Sequence, residues 1–306
     1  MAKIHSVEWT PAILPNPRIK AAMEANWWGL KGRTSRTNLF ERSVALSGIM
    51  GSRADHHTAP YAMTEEFTSV YRMHPLLPED VSFCSSDTGE LMAGKDKVPS
   101  PAISERGARE LLNDVSMQDV FYSFGISHPG AIQLRNYPNW LRELKRPDGR
   151  LVDVAAIDVL RDRERGVPRY NRFRELLHLP RMESFEELTE DAEWADELRD
   201  VYGGDIDKID ALVSMLAEKP PDGFGFSSTA FRVLLLMASR RLQSDRFYTD
   251  DYRPEIYTPV GIAWVENTTM TDVILRHSPA LATRLRSEAN AFKRWDDPDN
   301  VLTFRD

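Results

Sequence analysis

Cys84 is the only cysteine in this chain of 306 residues, which leaves no internal disulfide framework and no cysteine-based zinc or iron–sulfur site. No run of eighteen apolar residues occurs, so no transmembrane segment is expected. Lysines and arginines form no block long enough to make a stripe, and the net charge is −8. That balance argues against nucleic acid as a partner. The first residues, MAKIHSVEWTPAIL, lack the charged, apolar and small-residue succession of a signal peptide. They open directly in an apolar-periodic segment with no capping residue, the pattern of an interior stretch of a longer chain. Internal repeats and low-complexity tracts are also missing. What is present, 42% hydrophobic and 28% charged residues, suffices for a substantial core in one large domain or two.

The most telling stretch is TEEFTSVYRMHPLLPE, residues 64–79. Thr64 suits a helix N-cap, with Glu65 and Glu66 in the first turn where the helix dipole favours negative charge. Phe67, Val70, Tyr71 and His74 then recur at helical spacing, which predicts one apolar face carrying both the phenol and the imidazole. Pro75 is expected to stop the helix, because the residue before a proline is pushed out of the α region. A histidine in the last turn of a buried helix, three residues after a tyrosine, can hold haem iron and exchange an electron with the phenol. A core histidine beside a core tyrosine fits the same spacing.

The remaining pattern is mainly α, with a minor β hairpin around 81–84 and 90–92. An amphipathic helix is expected over 17–30, and a long polar connection follows with His56 and His57 on a solvated loop. Further helices are expected over 104–114, 115–122, 153–163 and 171–177, and His128 has no partner at ligand spacing. The arginines of 161–174 alternate with acids and read as an ion-paired helix. Two acidic helices, 184–202 and 206–218, place their acids on exposed faces. The segment 228–243 is strongly helical, with Arg232, Ser239 and Gln243 on its polar side and Arg241 on the side of Leu234 and Ala238. A buried guanidinium requires an anion, so Arg241 sits in a structural salt bridge or binds an anionic ligand. Residues 250–306 read as a loop containing Pro254 and Pro259, helices over 269–277 and 279–295, and a loosely held polar tail.

Several uncommon strings, KIHSVEWTPAIL, ANWWGL, MTEEF, VYRMHPLLP, RDRERGVPRYN and MASRRL followed by SDRF, resemble the animal-type haem peroxidase superfamily. They are most similar to its fatty-acid α-dioxygenases, the cyclooxygenase-like branch. The resemblance implies a haem peroxidase-like helical domain of which residues 1–306 are the C-terminal portion, with the distal-haem half absent. It implies haem b as cofactor, His74 as axial ligand of its iron, and Tyr71 as the catalytic radical. It gives Asn171, in a stretch matched by Arg161, Asp162, Gly166, Pro168 and Tyr170, the role of accepting the second N–H of His74. The sequence departs from the family stretch at Arg163, Glu164 and Arg165. His5, Thr10 and one arginine of MASRRL are implied to hold a substrate carboxylate, and the helical face favours Arg241 over Arg240. The implied partners are a fatty acid, dioxygen and peroxide. In the implied chemistry the tyrosyl radical takes hydrogen from the α-carbon, and dioxygen adds to give a 2-hydroperoxy acid. The alternative is a truncated, catalytically silent haem-binding or interaction protein.

Overall fold

The computed structural model describes residues 1–13, 63–104, 106–243, 245, 247 and 251–302. The expected helix over 17–30 and the loop carrying His56 and His57 lie outside the described residues. The described chain is mainly helical, with two small antiparallel hairpins. In the first, β1 (Asp80–Val81) pairs with β2 (Val98–Pro99), and a single Cys84–Leu91 bridge lies inside the excursion between them. The second joins β3 (Leu144–Lys145) to β4 (Leu151–Val152). Its turn closes on Gly149, whose φ of 84° is left-handed, so the Pro147-Asp148-Gly149 run was the available signal for a hairpin that periodicity passes over. Among the described residues no helix is long and apolar enough to cross a membrane.

Contacts divide the chain into two compact units. The first comprises Met1–Pro15, Pro78–Pro129 and Asp250–Asp306. Tyr122, Leu281, Leu285, Ala289 and Trp295 form one of its cores. Trp295 lies so close to Gly125 that a Cβ there would meet the indole at 2.2 Å, and the Trp295 backbone N–H donates to the Gly125 carbonyl. Only glycine allows that approach. A helical run opens this unit: Ala2–Ile4, a π segment at His5–Trp9, then Thr10–Ile13. Glu8 is buried, pairs with Lys3, and accepts from the Met270 N–H; burial raises its carboxyl above the usual range.

Three expectations for this unit are corrected. Pro254 and Pro259 do not mark a loop; each opens a helix, Pro254–Tyr257 and Pro259–Asn267. Proline fits the first turn because the N–H it lacks would be unpaired there. The helix expected over 279–295 is only the short turn Pro279–Thr283. The tail is held rather than loose as far as 302: Asn290 and Asn300 bond each other, and Arg286 donates to three carbonyls between 297 and 300.

The second unit comprises Asn16–Leu77 and Gly130–Thr249. Tyr170, Phe185, Leu188, Ala195, Leu198, Ile209 and Ala217 form its core. The acidic stretches break where the sequence predicts continuous helices. The first splits into Phe185–Leu188 and Ala192–Val201, the second into a turn at Ile206–Lys208 and the helix Ala211–Ala217. Asp191 explains the first break, since its carboxylate caps the N–H groups of Glu193 and Trp194 and so starts a new helix. Nor are all the acids on exposed faces. Asp210 and Glu218 are buried: Asp210 takes both Arg163 and Arg169, and Glu218 pairs with the buried Arg174.

Candidate functional site

The helix expected from Thr64 to His74 forms, but it is shorter. Thr64 caps it as the sequence suggests, its Oγ accepting from the Phe67 N–H at 3.1 Å, and the helix spans Glu65–Val70. Tyr71 already departs from helical geometry, and a 3-10 turn restarts at His74–Leu76 with Pro75 inside it. A continued helix would drive the Pro75 ring into the Tyr71 carbonyl, so the chain closes the helix upstream of the proline rather than beside it. The predicted single face for phenol and imidazole is therefore absent. Tyr71 is 43% exposed and packs its ring on Phe67 at 4.4 Å, whereas the His74 ring lies against Tyr137 at 5.2 Å.

The long helix Val154–Glu164, capped by Asp153, is joined to Glu65–Val70 by a series of polar pairs. Glu65 takes Arg161 and Arg165, Ser69 donates to Asp162 at 2.7 Å, and Arg72 meets Asp158 at 3.1 Å. The pairs Glu65–Arg165, Ser69–Asp162 and Arg72–Asp158 run in opposite order along the two segments, as in antiparallel neighbours. The hydrogen bond from Arg161 lowers the Glu65 carboxyl, while burial raises that of Asp162. The arginines of this stretch are ion-paired as expected, most of them with acids of other elements, while Arg172 pairs with Glu175 of its own helix.

Asp158, spaced four residues before Asp162, is 2% exposed and forms the centre of the site. One of its oxygens takes Arg72; the other lies 3.2 Å from the Tyr137 hydroxyl and 3.3 Å from Nδ1 of His74. The Tyr137 hydroxyl is itself 3.0 Å from His74 Nδ1. Burial, reinforced by the Asp158 charge, raises the Tyr137 hydroxyl well above its usual range, so the phenol keeps its proton. Tyr137 arrives on a loop fastened to the 3-10 turn. Gly130 donates to the Leu76 carbonyl, Asn136 donates to that of Pro75, and a Cβ on Gly130 would meet the Pro75 oxygen at 2.1 Å. Neither Asp158 nor Tyr137 stands out in the sequence. The i,i+4 spacing of Asp158 and Asp162 was the one signal, and it reads equally well as a solvated face.

Asn171 is not the partner of His74 in this structure. Its amide donates to the Met182 carbonyl at 2.9 Å and to Asp207 at 2.7 Å, and its oxygen accepts the Met182 N–H at 2.9 Å. Two bonds to Met182 and one to Asp207 of the Ile206–Lys208 turn consume the amide, so it pins the chain after the Tyr170–Leu176 helix. Arg241 lies in the Ser228–Gln243 helix, whose limits match the sequence pattern, but its side chain and that of Arg240 lie outside the described residues. In the other unit, His5 stacks on Trp9 at 4.8 Å, and burial lowers its pKa, favouring a neutral ring. Thr10 is buried and donates its hydroxyl to the His5 carbonyl at 2.8 Å. His128 bonds Arg294.

The donors around His74 fit an axial ligand to haem iron. All bonding of its ring is at Nδ1, and among the described residues Nε2 has no hydrogen-bond partner. No three His, Cys, Asp or Glu side chains among the described residues converge on a bare ion, and a single imidazole nitrogen is what an axial site requires.

Known proteins resemble this chain in sequence and in fold. Over 313 aligned residues the chain is 39% identical to Alpha-dioxygenase 1 of Arabidopsis thaliana, covering 97% of this chain and 49% of that protein. It is 40% identical to Alpha-dioxygenase PIOX of Pisum sativum, covering 98% and 49%. The crystal structure of the Arabidopsis thaliana fatty acid alpha-dioxygenase superposes with a TM-score of 0.81 at 38% identity, over 99% of this chain and 49% of that one. An Oryza sativa fatty acid alpha-dioxygenase crystallised with palmitic acid gives 0.79 at 37% identity, over 97% and 51%. The chain thus spans about half the length of the relatives it matches. The family model for animal haem peroxidase matches residues 1–292, and the chain belongs to that family of oxidoreductases.

Proposed function

We propose that this chain carries the histidine side of a haem site and the substrate-oxidising tyrosine of a fatty-acid α-dioxygenase. The observation that carries the reading is the His74 ring, held at Nδ1 by Tyr137 and Asp158 with Nε2 left for a metal. Haem b bound there supplies the oxidising equivalent, drawn from peroxide. Tyr71, at the end of the helix that leads into the His74 turn, gives up an electron and its phenolic proton. As a radical it takes the hydrogen from the α-carbon of the acid, dioxygen adds to the carbon radical to give a peroxyl radical, and return of the hydrogen atom from Tyr71 gives the 2-hydroperoxy acid and restores the tyrosyl radical.

His5, Thr10 and Arg241 are proposed to hold the carboxylate. A neutral His5 ring donates one hydrogen bond, and Arg241 supplies the charge. Thr10 must turn its hydroxyl away from the His5 carbonyl to donate. That carbonyl stays satisfied, because the Thr10 N–H also bonds to it in the π segment, and such segments often occur at functional sites.

Titrating the chain with haem tests the reading. A Soret shift is expected that His74→Ala abolishes, and a shift that survives the substitution excludes His74 as the ligand. Tyr71→Phe is expected to remove oxygenation of palmitic acid and spare haem binding. Retained oxygenation sinks the radical role. Arg241→Leu is expected to weaken palmitic acid binding far more than haem binding.

A further inference from the structure

Residues five apart in an α-helix point about 140° away from each other, since each residue turns the helix by about 100°. In a π turn, whose hydrogen bonds join residues five apart, the same two residues stand one above the other. His5 and Thr10 are joined in the second way: the Thr10 N–H donates to the His5 carbonyl, and the Thr10 hydroxyl does so at 2.8 Å. The wide turn is confined to His5–Trp9, with α geometry before it at Ala2–Ile4 and after it at Thr10–Ile13. Such turns are rare in their own right, so something outside the helix has to hold this one.

Glu8 is gripped from three sides. Its Oε2 accepts the Met270 N–H at 2.8 Å, its Oε1 lies 3.4 Å from Lys3 Nζ, and its backbone carbonyl accepts from Asn290 Nδ2 at 2.9 Å. The anchors are themselves fixed. Met270 is the first residue of the Met270–His277 helix behind the Thr269 capping box, Lys3 Nζ also donates to the Thr268 carbonyl at 2.7 Å, and Asn290 bonds Asn300. Glu8 is fully buried and Lys3 nearly so. Apolar side chains of the same volume often stabilise a fold as well as a buried ion pair does, so packing does not explain a carboxylate here. What an apolar side chain cannot do is take the Met270 N–H and fix the rotation of the helix at that point.

We propose that Glu8, clasped by Met270, Lys3 and Asn290, is the positioning residue that keeps His5–Trp9 in the π form and thereby sets the Thr10 hydroxyl beside His5 for a substrate carboxylate. The consequence for substrate rests on His5 and Thr10 as carboxylate ligands; the clasp itself does not. Without the clasp the Thr10 N–H turns to the Ser6 carbonyl, the α-helix runs through, and Thr10 swings away from His5.

Turn and ligand are measured separately on the full 306-residue chain. Nitrogen–carbonyl couplings across hydrogen bonds should link the Thr10 amide to the His5 carbonyl carbon. In Lys3→Met/Glu8→Met, which removes both charges and keeps the volume, the coupling should move to Ser6. In Lys3→Met/Glu8→Gln, whose amide oxygen still accepts the Met270 N–H, it should stay on His5. A coupling that stays on His5 in the first variant overturns the proposal. Palmitic acid should bind the first variant about tenfold more weakly, the worth of one hydrogen bond to a charged group, and the second as tightly as the unaltered chain. Thr10→Val should cause the same loss, and adding it to Lys3→Met/Glu8→Met should cause no more. Additive losses mark a clasp that only stabilises the fold, and they overturn the proposal. If Lys3→Met/Glu8→Met does not fold, Met270→Pro carries both readouts, because proline is accommodated at the first position of a helix and lacks the N–H that Glu8 takes. Undiminished affinity of Thr10→Val for palmitic acid refutes Thr10 as a carboxylate ligand, while the coupling still decides whether Glu8 holds the π turn.

Discussion

Asp158 and Asp210 are buried aspartates of the same unit, and each collects a tyrosine hydroxyl and an arginine. Asp158 has Tyr137 and Arg72; Asp210 has Tyr202 at 2.9 Å, a two-pronged Arg163 at 2.9 and 2.6 Å, and Arg169. They differ in the last partner. Asp210 ends on a second arginine and is closed, its charge spent on binding together the Val154–Glu164 helix, the start of Tyr170–Leu176 and the Ala211–Ala217 helix that it precedes. Asp158 ends on an imidazole that has a second nitrogen to offer. A buried carboxylate is therefore no sign of a site in itself; what counts is whether one of its partners has valence left over.

The extreme of the closed kind is the Arg174–Glu218 pair, both buried, with Tyr170 and Thr229 completing the network. Glu218→Ala strands the guanidinium and should cost about 3–5 kcal/mol, read as a lower urea midpoint. Asp210→Ala should cost less, about 1–3 kcal/mol, because Arg163 and Arg169 are nearly half exposed and can turn to water. Neither change should alter haem uptake, and a lost Soret shift in either would dissolve the distinction drawn above.

The pH dependence separates Asp210 from a further aspartate, Asp162. Burial alone would raise Asp210, but hydrogen bonds from Arg163 and Tyr202 outweigh it and hold the carboxyl below the usual range. Its stabilisation is thus present above the unfolded value of about 3.9 and lost as the pH falls through the lower folded value. Burial raises Asp162, so its contribution is present below the ordinary value and lost as the pH rises through the raised one. At pH 7, Asp210→Asn should lower the urea midpoint while Asp162→Asn leaves it unchanged or raises it. The gap between the two variants should narrow toward pH 3.

The tyrosines provide a paired test. Tyr202→Phe and Tyr137→Phe each delete one hydroxyl bonded to a buried aspartate, and each should cost about 1 kcal/mol in thermal or urea unfolding. Only the second should move the spectrum of bound haem. The smallest effect is expected from Arg163→Lys, which replaces a two-pronged contact by a point charge at a half-exposed position. Its cost should be below about 1 kcal/mol, and it should shrink in salt.

Much of this was legible in the residues. Thr64 as a cap, the limits of Ser228–Gln243, the Val154–Glu164 helix behind Asp153 and the mainly helical class all follow from local capping and periodicity, which short-range forces decide. Tyr71 and His74 were marked by their wording and not by their spacing, and the single face inferred from that spacing does not exist. The breaks at 189–191 and at 209–210, the burial of Asp210 and Glu218, and the early end of Glu65–Val70 escaped notice. An acid on an amphipathic pattern looks the same whether it faces water or an arginine from a distant helix.

The sequence by itself determined where the helices behind Thr64 and Asp153 start, which family the chain resembles, and that one histidine follows one tyrosine by three residues. Tertiary structure alone decided what holds that histidine. Tyr137 and Asp158 are 63 and 84 positions away from it in the chain, and they meet it because the Gly130 loop docks on the 3-10 turn and the Val154–Glu164 helix pairs with Glu65–Val70. A hydrogen-bonding group finds its partner by distance in space, so the surroundings of His74 were decided only when packing brought a carboxylate and a phenol to the same nitrogen.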